Sequence, residues 1–335
     1  MKIMKNIITL ILITLSLNTF AKPAYEVLLK QDDVIWGFDF LKDGKIIFTE
    51  RGGKVFVFDP KTKKASLVGG TPKVHAVGQG GMLDVRVHPT NGHIYITYSE
   101  PMDKYSATAL GRGKLIGNKL VDFKKIFAAD KSTNDYHYGS RIEFDNEGNV
   151  FITSGERAER EMIQKKDNYL GKIIRMKEDG SSPEVWSLGH RSPQGLAMRP
   201  GTQELWEAEM GPQGGDEINL IKKDGNYGWP IVTYGREYSG PKIGVKSKPG
   251  VEEPVAYWVP SISPSAMTFW KNDIWLANLS GEHLRRLELK GTKVGKQEEF
   301  FKELGWRWRN VRPGPDGNLY FSTDEGRLGK VISIN

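Results

Sequence analysis

The sequence predicts an all-β fold, a six-bladed β-propeller of four-stranded antiparallel sheets. Glycine occurs 38 times and is spread along all 335 residues, which is typical of many turns between short strands. One phrase also recurs six times: a turn, then a short apolar and aromatic strand that ends in Thr, Ser or Ala. The copies lie at intervals of roughly 45 to 70 residues, which suits one sheet per copy. They surround Ile46, Ile94, Val150, Leu205, Ile274 and Leu319.

Further strands accompany the repeated phrase. A strand precedes most copies, with the sequences IWGFDFL, MLDVRVHP, SRIEFD, GLAMRP, SAMTFW and VRPGPD. A third strand follows several copies, with the sequences GKVFVFDP, GKIIRMKEDG, DEINLIKKDG, HLRRLELKG and GKVISIN. Tight Asp-Gly and Asn-Gly turns join such strands into antiparallel sheets. We expect the ring to close by pairing residues 25–30 with the C-terminal strand.

The first 21 residues differ from the rest of the chain. Two lysines precede an apolar run over residues 7–17, and Ala21 offers a small residue for cleavage. This pattern predicts a cleaved signal peptide over residues 1–21, because the apolar run is too short for a membrane anchor. We expect residues 22–335 to form a single propeller domain, periplasmic or secreted, with no membrane span after cleavage.

Charge and cysteine content exclude several classes of function. The formal net charge is +7, and it falls to about +5 (7 − 2) without the two leader lysines. No run of Lys and Arg is interleaved with aromatic residues, so nucleic-acid binding is not expected. Cysteine is absent, which excludes disulfides, thiolate zinc sites and an attached c-type haem.

Sites in propellers form where long loops meet at one end of the central channel. Several of the long connections carry arginine or glutamine, and guanidinium groups bind carboxylates through paired hydrogen bonds. These residues therefore suit a polyanionic ligand, although surface ion pairs are the alternative for each arginine. They are Gln79, Arg191, Gln194, Arg307 and Arg309. The connections span residues 78–81, 130–137, 189–194, 210–217, 229–265 and 305–312.

One of these loops is a candidate calcium site. It reads EMGPQGGDEIN and places a Gly211-Pro212 corner before Asp216 and Glu217. Calcium takes oxygen ligands, including backbone carbonyls at tight turns. No EF-hand spacing is present, and a solvated turn is the alternative.

His137 differs from the other histidines by its position. His88 and His93 flank the turn HPTNGH and are expected to be solvated, and no two histidines have a zinc-ligand spacing. His137 stands where the third blade begins, and Glu156 follows that blade's second strand. A hairpin could bring the Glu156 carboxylate beside His137, where it would orient the imidazole and raise its basicity. A polar loop residue is the alternative interpretation of His137.

Six motifs occur in one order along the chain: GQGGMLDVRVHP, HYGSRIEFD, GHRSPQGLAMRP, GPQGGDEINLIKKDGNYGWP, PSISPSAMTF and RWRNVRPGPDGNLY. Together they resemble the soluble pyrroloquinoline quinone (PQQ)-dependent glucose/sorbosone dehydrogenases, in particular the aldose sugar dehydrogenase branch. The resemblance covers nearly the whole mature chain. It implies oxidation of an aldose at its anomeric carbon to a lactone, with PQQ and calcium as cofactors. It also implies a separate external electron acceptor, and we expect a monomer or homodimer.

The resemblance implies roles for the matching residues. His137 falls on the catalytic base and Glu156 on the acid beside it, while Arg191 would stabilise negative charge on the quinone oxygen. The cofactor contacts fall on Gln79, Arg191, Ser192, Gln194, Arg307 and Arg309. The calcium that bridges protein and quinone falls on the carbonyls of Gly211 and Pro212. A second, structural calcium falls on Glu217 and the Tyr227 backbone.

Two positions depart from the pattern of the family. Ser192 stands where relatives usually have Asn, and Ser280 stands where a lysine contacts the cofactor. Each change removes a polar or cationic contact, which costs roughly 1–3 kcal/mol for a buried group. The affinity for PQQ is therefore the implied property that these changes affect most.

Two other functions fit a propeller. A metal-dependent lactonase would hold its metal on carboxylates and Asn at the channel centre, and the arginines would have no task in it. If the chain were a non-catalytic propeller that binds a sugar or a protein, Ser192 and Ser280 would be signs of a decayed cofactor site. Lactone hydrolysis without PQQ would favour the first, and failure of the folded chain to bind PQQ would favour the second.

Overall fold

The computed structural model describes residues 23–334, and these form six small β-sheets. The predicted all-β, six-bladed propeller is thereby confirmed. The only helices in this range are two 3-10 turns, Arg160–Met162 and Lys302–Leu304, so no helix there could cross a bilayer. The predicted signal peptide lies outside the described residues.

The blades follow one another along the chain. Blade 1 contains β2 (Ile35–Phe40), β3 (Ile46–Glu50), β4 (Lys54–Asp59) and β5 (Lys64–Leu67). Blade 2 contains β6 (Met82–Val87), β7 (Ile94–Met102), β8 (Tyr105–Ile116) and β9 (Lys119–Ala128). Blade 3 contains β10 (Gly139–Phe144), β11 (Val150–Ser154), β12 (Lys172–Met176), β13 (Glu184–Leu188) and, from later in the chain, β17 (Gly225–Asn226). Blade 4 contains β14 (Pro193–Met198), β15 (Leu205–Glu209), β16 (Asp216–Ile221) and β18 (Ala256–Trp258). Blade 5 contains β19 (Pro264–Trp270), β20 (Asp273–Asn278), β21 (Leu284–Lys290) and β22 (Lys293–Phe300). Blade 6 contains β23 (Trp308–Pro313), β24 (Leu319–Thr323), β25 (Arg327–Ser333) and β1 (Ala24–Lys30).

Blade 6 joins the two ends of the described chain. Strand β1 pairs antiparallel with β25, with Tyr25 opposite Val331 and Lys30 opposite Arg327. The sheet order is β1-β25-β24-β23, so the N-terminal strand completes the last blade. This is the predicted closure, and it seals the ring by backbone hydrogen bonds.

The repeated phrase forms the second strand of every blade. These strands are β3, β7, β11, β15, β20 and β24, and all but β7 are buried at every position. Each lies inside its sheet, with neighbouring blades covering both faces, so most side chains of both alternating sets are apolar or small, with Glu50, Glu207 and Glu209 among the exceptions. Burial on both faces explains why the phrase appears as a continuous apolar run.

Blade 3 departs from the predicted four strands. Its fifth strand, β17, pairs parallel with β13, with Ser187 opposite Gly225. The chain continues along the same path, because the amide of Tyr227 donates to the Leu188 carbonyl (2.8 Å) and that of Trp229 to the Gly189 carbonyl (2.8 Å). Residues 225–229 lie between two strands of blade 4 in the sequence, yet they extend the sheet of blade 3 along β13.

One buried side chain on β10 contacts all the other blades. The first strands of the blades lie side by side around the axis, and the Arg141 guanidinium lies among them, 3 % exposed. It donates to the Gln194 carbonyl (2.7 Å), the Ser265 carbonyl (2.5 Å), the Arg309 carbonyl (3.1 Å) and Asp84 Oδ1 (3.3 Å), and it lies 4.1 Å from the Trp36 ring centroid. These partners belong to blades 4, 5, 6, 2 and 1, so Arg141 fastens the centre of the propeller.

The expectation for His88 was wrong. Its side chain is buried, with the ring centroid 4.7 Å from that of Phe144, and its Nδ1 accepts from the Thr90 amide (3.4 Å). Burial lowers the pKa of His88, so the ring is neutral at pH 7. The turn that His88 flanks is polar, but the strand before it ends against blade 3, and this packing covers the ring. His93 is half-buried.

Candidate active site

The sequence-predicted residues meet at one end of the propeller because of strand direction. His137, Arg191 and Arg307 lie just before the first strands β10, β14 and β23. Glu156 and Gly211 lie just after the second strands β11 and β15, which run antiparallel to the first. Starts of first strands and ends of second strands share one end of a sheet, so all these residues lie at the same mouth of the channel.

His137 and Glu156 form a tight pair. Nδ1 of His137 donates to Oε1 of Glu156 (2.7 Å), and the indole Nε1 of Trp229 donates to Oε2 (3.2 Å). Both carboxylate oxygens are therefore occupied, and the carboxylate fixes the imidazole tautomer. The His137 side chain keeps 13 % exposure. Its Nε2 makes no hydrogen bond within the described residues, which leaves that atom available to a ligand.

The backbone around His137 is strained and closely packed. His137 has φ of 57°, a left-handed conformation that is uncommon for a residue with a Cβ. Its amide donates to Oε1 of Gln79 (2.8 Å), and the Gln79 amide donates to the Asp135 carbonyl (2.7 Å). A Cβ on Gly155 would lie 1.8 Å from the His137 carbonyl oxygen, so only glycine fits there. The hairpin brings Glu156 beside His137 as predicted, and the structure adds Gln79 to the pair.

The electrostatics of the pair favour a neutral histidine and a charged glutamate. Burial lowers the pKa of His137, and the positive charge of Arg191 lowers it further, against the opposing effect of Glu156. Burial would raise the pKa of Glu156, but the hydrogen bond to His137 and the nearby charge of Arg191 outweigh burial and hold it below its ordinary value. At neutral pH the imidazole can therefore accept a proton, and the carboxylate can stabilise the resulting cation.

Arg191 joins the histidine pair to the Gly211-Pro212 corner. Its Nη1 donates to the carbonyls of Met210 (3.0 Å) and Gly211 (2.8 Å), and its Cζ lies 5.4 Å from the Trp229 ring centroid. The Arg191 amide donates to Oε2 of Glu209 (2.6 Å), while its carbonyl accepts from the Glu156 amide (2.8 Å). The guanidinium is thus held against the Gly211 carbonyl, to which the family resemblance assigns calcium, and that oxygen retains a second lone pair.

The Gly211-Pro212 corner is buried and tightly folded. A Cβ on Gly211 would lie 2.3 Å from the Gly214 carbonyl oxygen, and the Gly211 amide donates to Oδ1 of Asp216 (2.9 Å). Asp216 also accepts from the amides of Ile262 (2.6 Å) and Ser263 (2.8 Å), so its carboxylate organises the turn. The hydrogen bonds to Asp216 thus hold the backbone of the buried corner in its tight turn.

Behind this corner lies a group of buried acids. Glu209 and Glu217 face each other across β15 and β16, and with Tyr227 they line a cavity of about 10 Å³. That is about the space of one water molecule or ion. Burial and the charge of Glu209 raise the pKa of Glu217 well above its ordinary value. Ligand atoms of His190, Glu207 and Glu209 also lie within 4.8 Å of one another.

Glu207 and Glu209 were not predicted from the sequence. They occupy alternate positions in the phrase LWEAE, where every residue is buried. Acids are almost never fully buried unless they are paired, so two of them in a repeat that is otherwise apolar could have indicated a cation site. Trp229 was missed as well, because it belongs to a long loop without pattern.

The arginines of blade 6 have partners. Arg309 forms two hydrogen bonds with Asp324, from Nε to Oδ1 (2.7 Å) and from Nη2 to Oδ2 (3.0 Å), and Arg307 adds a third from Nε to Oδ2 (3.1 Å). The ion pair given as an alternative is therefore present. Two guanidinium groups share one carboxylate, so one positive charge is left over (2 − 1).

The three remaining positions differ in exposure. Gln194 is 6 % exposed, and its Oε1 is buried without a hydrogen-bond partner in the described part of the chain. Ser192 is 1 % exposed, and its carbonyl accepts from the Met210 amide (3.1 Å). Ser280 is exposed after β20, where its hydroxyl bonds that of Ser263 (2.8 Å). All three lie at the same mouth as His137.

The chain matches known proteins over almost its whole length. The family Glucose / Sorbosone dehydrogenase matches residues 32–332. The aldose sugar dehydrogenase YliI of Escherichia coli is 37% identical over 361 residues, which cover 97% of each chain. The apo structure of the soluble aldose sugar dehydrogenase from Escherichia coli is similar with a TM-score of 0.89 at 36% identity, over 92% of this chain and 99% of that one. The PQQ-bound aldose sugar dehydrogenase of Streptomyces coelicolor is similar with a TM-score of 0.79 at 27% identity, over 93% of this chain and 98% of that one.

Proposed function

The chain belongs to the Glucose / Sorbosone dehydrogenase family, and from that premise we propose that it is a PQQ- and calcium-dependent aldose dehydrogenase. It oxidises the anomeric carbon of an aldose to a lactone and passes the electrons to a separate acceptor. The observation that carries the proposal is the His137–Glu156 pair, with Nδ1 and Oε1 2.7 Å apart and Nε2 free. A sugar whose anomeric hydroxyl reaches Nε2 gives its proton to His137 there.

The residues around His137 support its role as a general base. Because Nδ1 donates to Glu156, the lone pair of the neutral ring lies on Nε2. As Nε2 takes the proton, the imidazolium is stabilised by the Glu156 carboxylate, which Trp229 holds in place. Gln79 fixes the backbone of the base from the loop before β6, in the neighbouring blade 2.

The donor groups at the mouth fit a flat tricarboxylate quinone. Among the assigned cofactor contacts, two buried atoms have no hydrogen-bond partner within the described chain: Nε of Arg191, a donor, and Oε1 of Gln194, an acceptor. Arg191, Arg307 and Arg309 supply positive charge, and only one carboxylate, that of Asp324, is shared between Arg307 and Arg309 to offset it. When bound, PQQ supplies the hydride acceptor and calcium a Lewis acid on its carbonyl. We assign the cofactor contacts to Gln79, Arg191, Ser192, Gln194, Arg307 and Arg309.

Two cation positions accompany this proposal. The carbonyls of Gly211 and Pro212 would hold calcium beside Arg191, because the tight corner presents oxygen ligands without a competing acid. The second position is the cavity of about 10 Å³, where Glu217 and the Tyr227 backbone are joined by Glu209. Oxygen donors of this kind suit calcium, and two buried carboxyls with little else to neutralise them need a cation or protons.

Reconstitution tests the proposal. The purified chain is assayed for reduction of an artificial dye by glucose in four states: alone, with PQQ, with calcium, and with both. We expect turnover only when both are present. A parallel assay measures hydrolysis of gluconolactone without PQQ. Lactone hydrolysis without dye reduction would indicate a lactonase, and failure of the folded chain to bind PQQ would indicate a non-catalytic propeller.

A further inference from the structure

A surface groove of about 930 Å³ lies beside the Gly211-Pro212 corner. Its walls come from the long connection between β17 and β18 and from the end of β18, at residues 233–236, 242–246 and 257–259. Groove volumes of this order hold one small molecule of two or three rings. None of the residues that line the groove belongs to the His137–Glu156 pair or to the cluster of buried acids behind the corner.

The groove contains an aromatic platform. The rings of Tyr234 and Tyr257 stack with centroids 3.8 Å apart and an angle of 9°. Tyr234 is fixed from the other side, because its hydroxyl bonds Oε2 of Glu253 (3.1 Å). Tyr257 keeps 48 % exposure, and Val245 and Val259 beside it are more than half exposed. A rigid, exposed ring of this kind offers flat apolar area to the carbon face of a sugar ring at little entropic cost.

The charged side chains that line the groove are all positive. They are Arg236, Lys242 and Lys246. All three are exposed, and none forms an ion pair with a carboxylate of residues 23–334. Unpaired cations around an aromatic platform favour an anionic ligand over a neutral one.

The groove adjoins the candidate active site through two contacts. A Cβ on Gly235 would lie 2.8 Å from Cδ of Pro212, so the groove wall packs directly on the corner. On its other side, Glu237 pairs with Arg160, with Nη2 and Oε2 3.0 Å apart, and Arg160 lies 5.0 Å from the Trp229 ring centroid. A ligand in the groove is therefore next to the site rather than on a remote surface.

We propose that this groove binds the non-reacting, acidic sugar unit of an oligosaccharide whose reducing-end aldose is oxidised at His137. The ring of the second sugar stacks on Tyr257, and its carboxylate is held by Lys242 and Lys246. The inference rests on the proposed function for the identity of the reacting sugar. It adds that the preferred substrates are uronic-acid-containing oligosaccharides.

Three sugars with the same reacting glucose test it: glucose, cellobiose and cellobiouronic acid, which carries a carboxylate on the second ring. With the PQQ- and calcium-loaded chain we expect kcat/KM for cellobiouronic acid to exceed that for cellobiose by roughly threefold to tenfold, since each exposed ion pair contributes little. The preference should shrink in high salt. Lys242→Gln/Lys246→Gln should abolish it and leave kcat/KM for glucose unchanged.

Two further variants separate the platform from general effects. Tyr257→Ala should lower kcat/KM for both disaccharides by roughly fivefold, the size of one aromatic contact, and leave glucose unchanged. Tyr238→Ala removes a tyrosine that is 72 % exposed and lies outside the groove lining, and Lys61→Gln/Lys119→Gln removes two exposed lysines in blades 1 and 2. These control variants should leave the ratios of kcat/KM among the three sugars unchanged.

Binding to the PQQ-free chain gives a readout that does not depend on turnover. Calorimetric titration with cellobiouronic acid should show binding that Lys242→Gln/Lys246→Gln removes. Equal kcat/KM for the two disaccharides, or variants that slow glucose as much as cellobiouronic acid, would overturn the groove assignment. If glucose is not oxidised at all, the proposed function fails, and calorimetry still decides whether the groove binds the acid.

Discussion

His137 is the residue whose surroundings determine most of the chemistry. Its base function was inferred from the order of motifs and from a hairpin that could bring Glu156 beside it, and the two side chains lie 2.7 Å apart. Trp229 could not be inferred, because nothing in a patternless loop shows which strand it crosses. The pairing of Arg307 and Arg309 with Asp324 was equally hidden, since sequence spacing does not identify the carboxylate that faces an arginine.

The pH dependence of kcat/KM should report His137. The neutral ring is the base, and burial lowers the pKa of His137 below its ordinary value of 6.5. Activity of the reconstituted chain should therefore rise with pH, reach half its plateau below pH 6.5 and stay flat above it. Because Glu156 raises the pKa of His137, Glu156→Gln should move this acid limb to lower pH as well as reduce the plateau.

Glu161→Gln is the matched control for this profile. Glu161 is an exposed acid on the 3-10 turn Arg160–Met162, and its loss should leave the limb in place. A limb that moved to higher pH in Glu156→Gln, or did not move at all, would contradict the assignment of the base.

At the scale of strands, the repeated phrase predicted β3, β7, β11, β15, β20 and β24, because strands buried on both faces leave a continuous apolar run. The short strand β17 and the loop toward β18 were not predicted. Their residues are held by contacts with blade 3 and with one another, and such contacts leave no periodicity in the sequence. The acids of β15 and β16 are a local exception within strands whose apolar pattern is otherwise clear.

Calcium should stabilise blade 4 through these acids. Binding to the folded state alone contributes about 2.7 kcal/mol at a concentration one hundred times Kd. We expect the melting temperature of the PQQ-free chain to rise with calcium and calcium binding to release protons, because the pKa of Glu217 is raised. Glu217→Gln should remove most of the rise, whereas Glu303→Gln, an exposed acid after blade 5, should not. A rise of equal size in both variants would place the cation elsewhere.

The whole molecule is a ring whose centre depends on Arg141. The sequence predicted the number of blades and the closing strand, since both follow from repetition. It could not predict that one guanidinium would meet groups from five other blades, because that convergence exists only once the ring is closed. The same convergence fixes the strands that carry Gln194 and Arg309, so the stability of the ring and the shape of the site are linked.

Arg141→Met should therefore destabilise the entire propeller. The change leaves the Asp84 carboxylate buried without its cation, and breaking a buried pair in this way costs about 3–5 kcal/mol. The free energy of unfolding from denaturant titration measures the loss. Arg199→Met, which removes a more exposed pair with Glu204, should cost about 1 kcal/mol or less. Similar losses in the two variants would show that Arg141 is not the central fastening.

The most direct test of the proposed mechanism is the pair of measurements made on His137→Gln: PQQ affinity by absorbance titration with calcium, and glucose-dependent turnover. Glutamine keeps a polar side chain of similar reach but cannot take the proton at neutral pH. We expect PQQ affinity close to that of the unmodified chain and turnover at least about 10²-fold lower. Unchanged turnover with PQQ bound would contradict the assignment of His137 as the base.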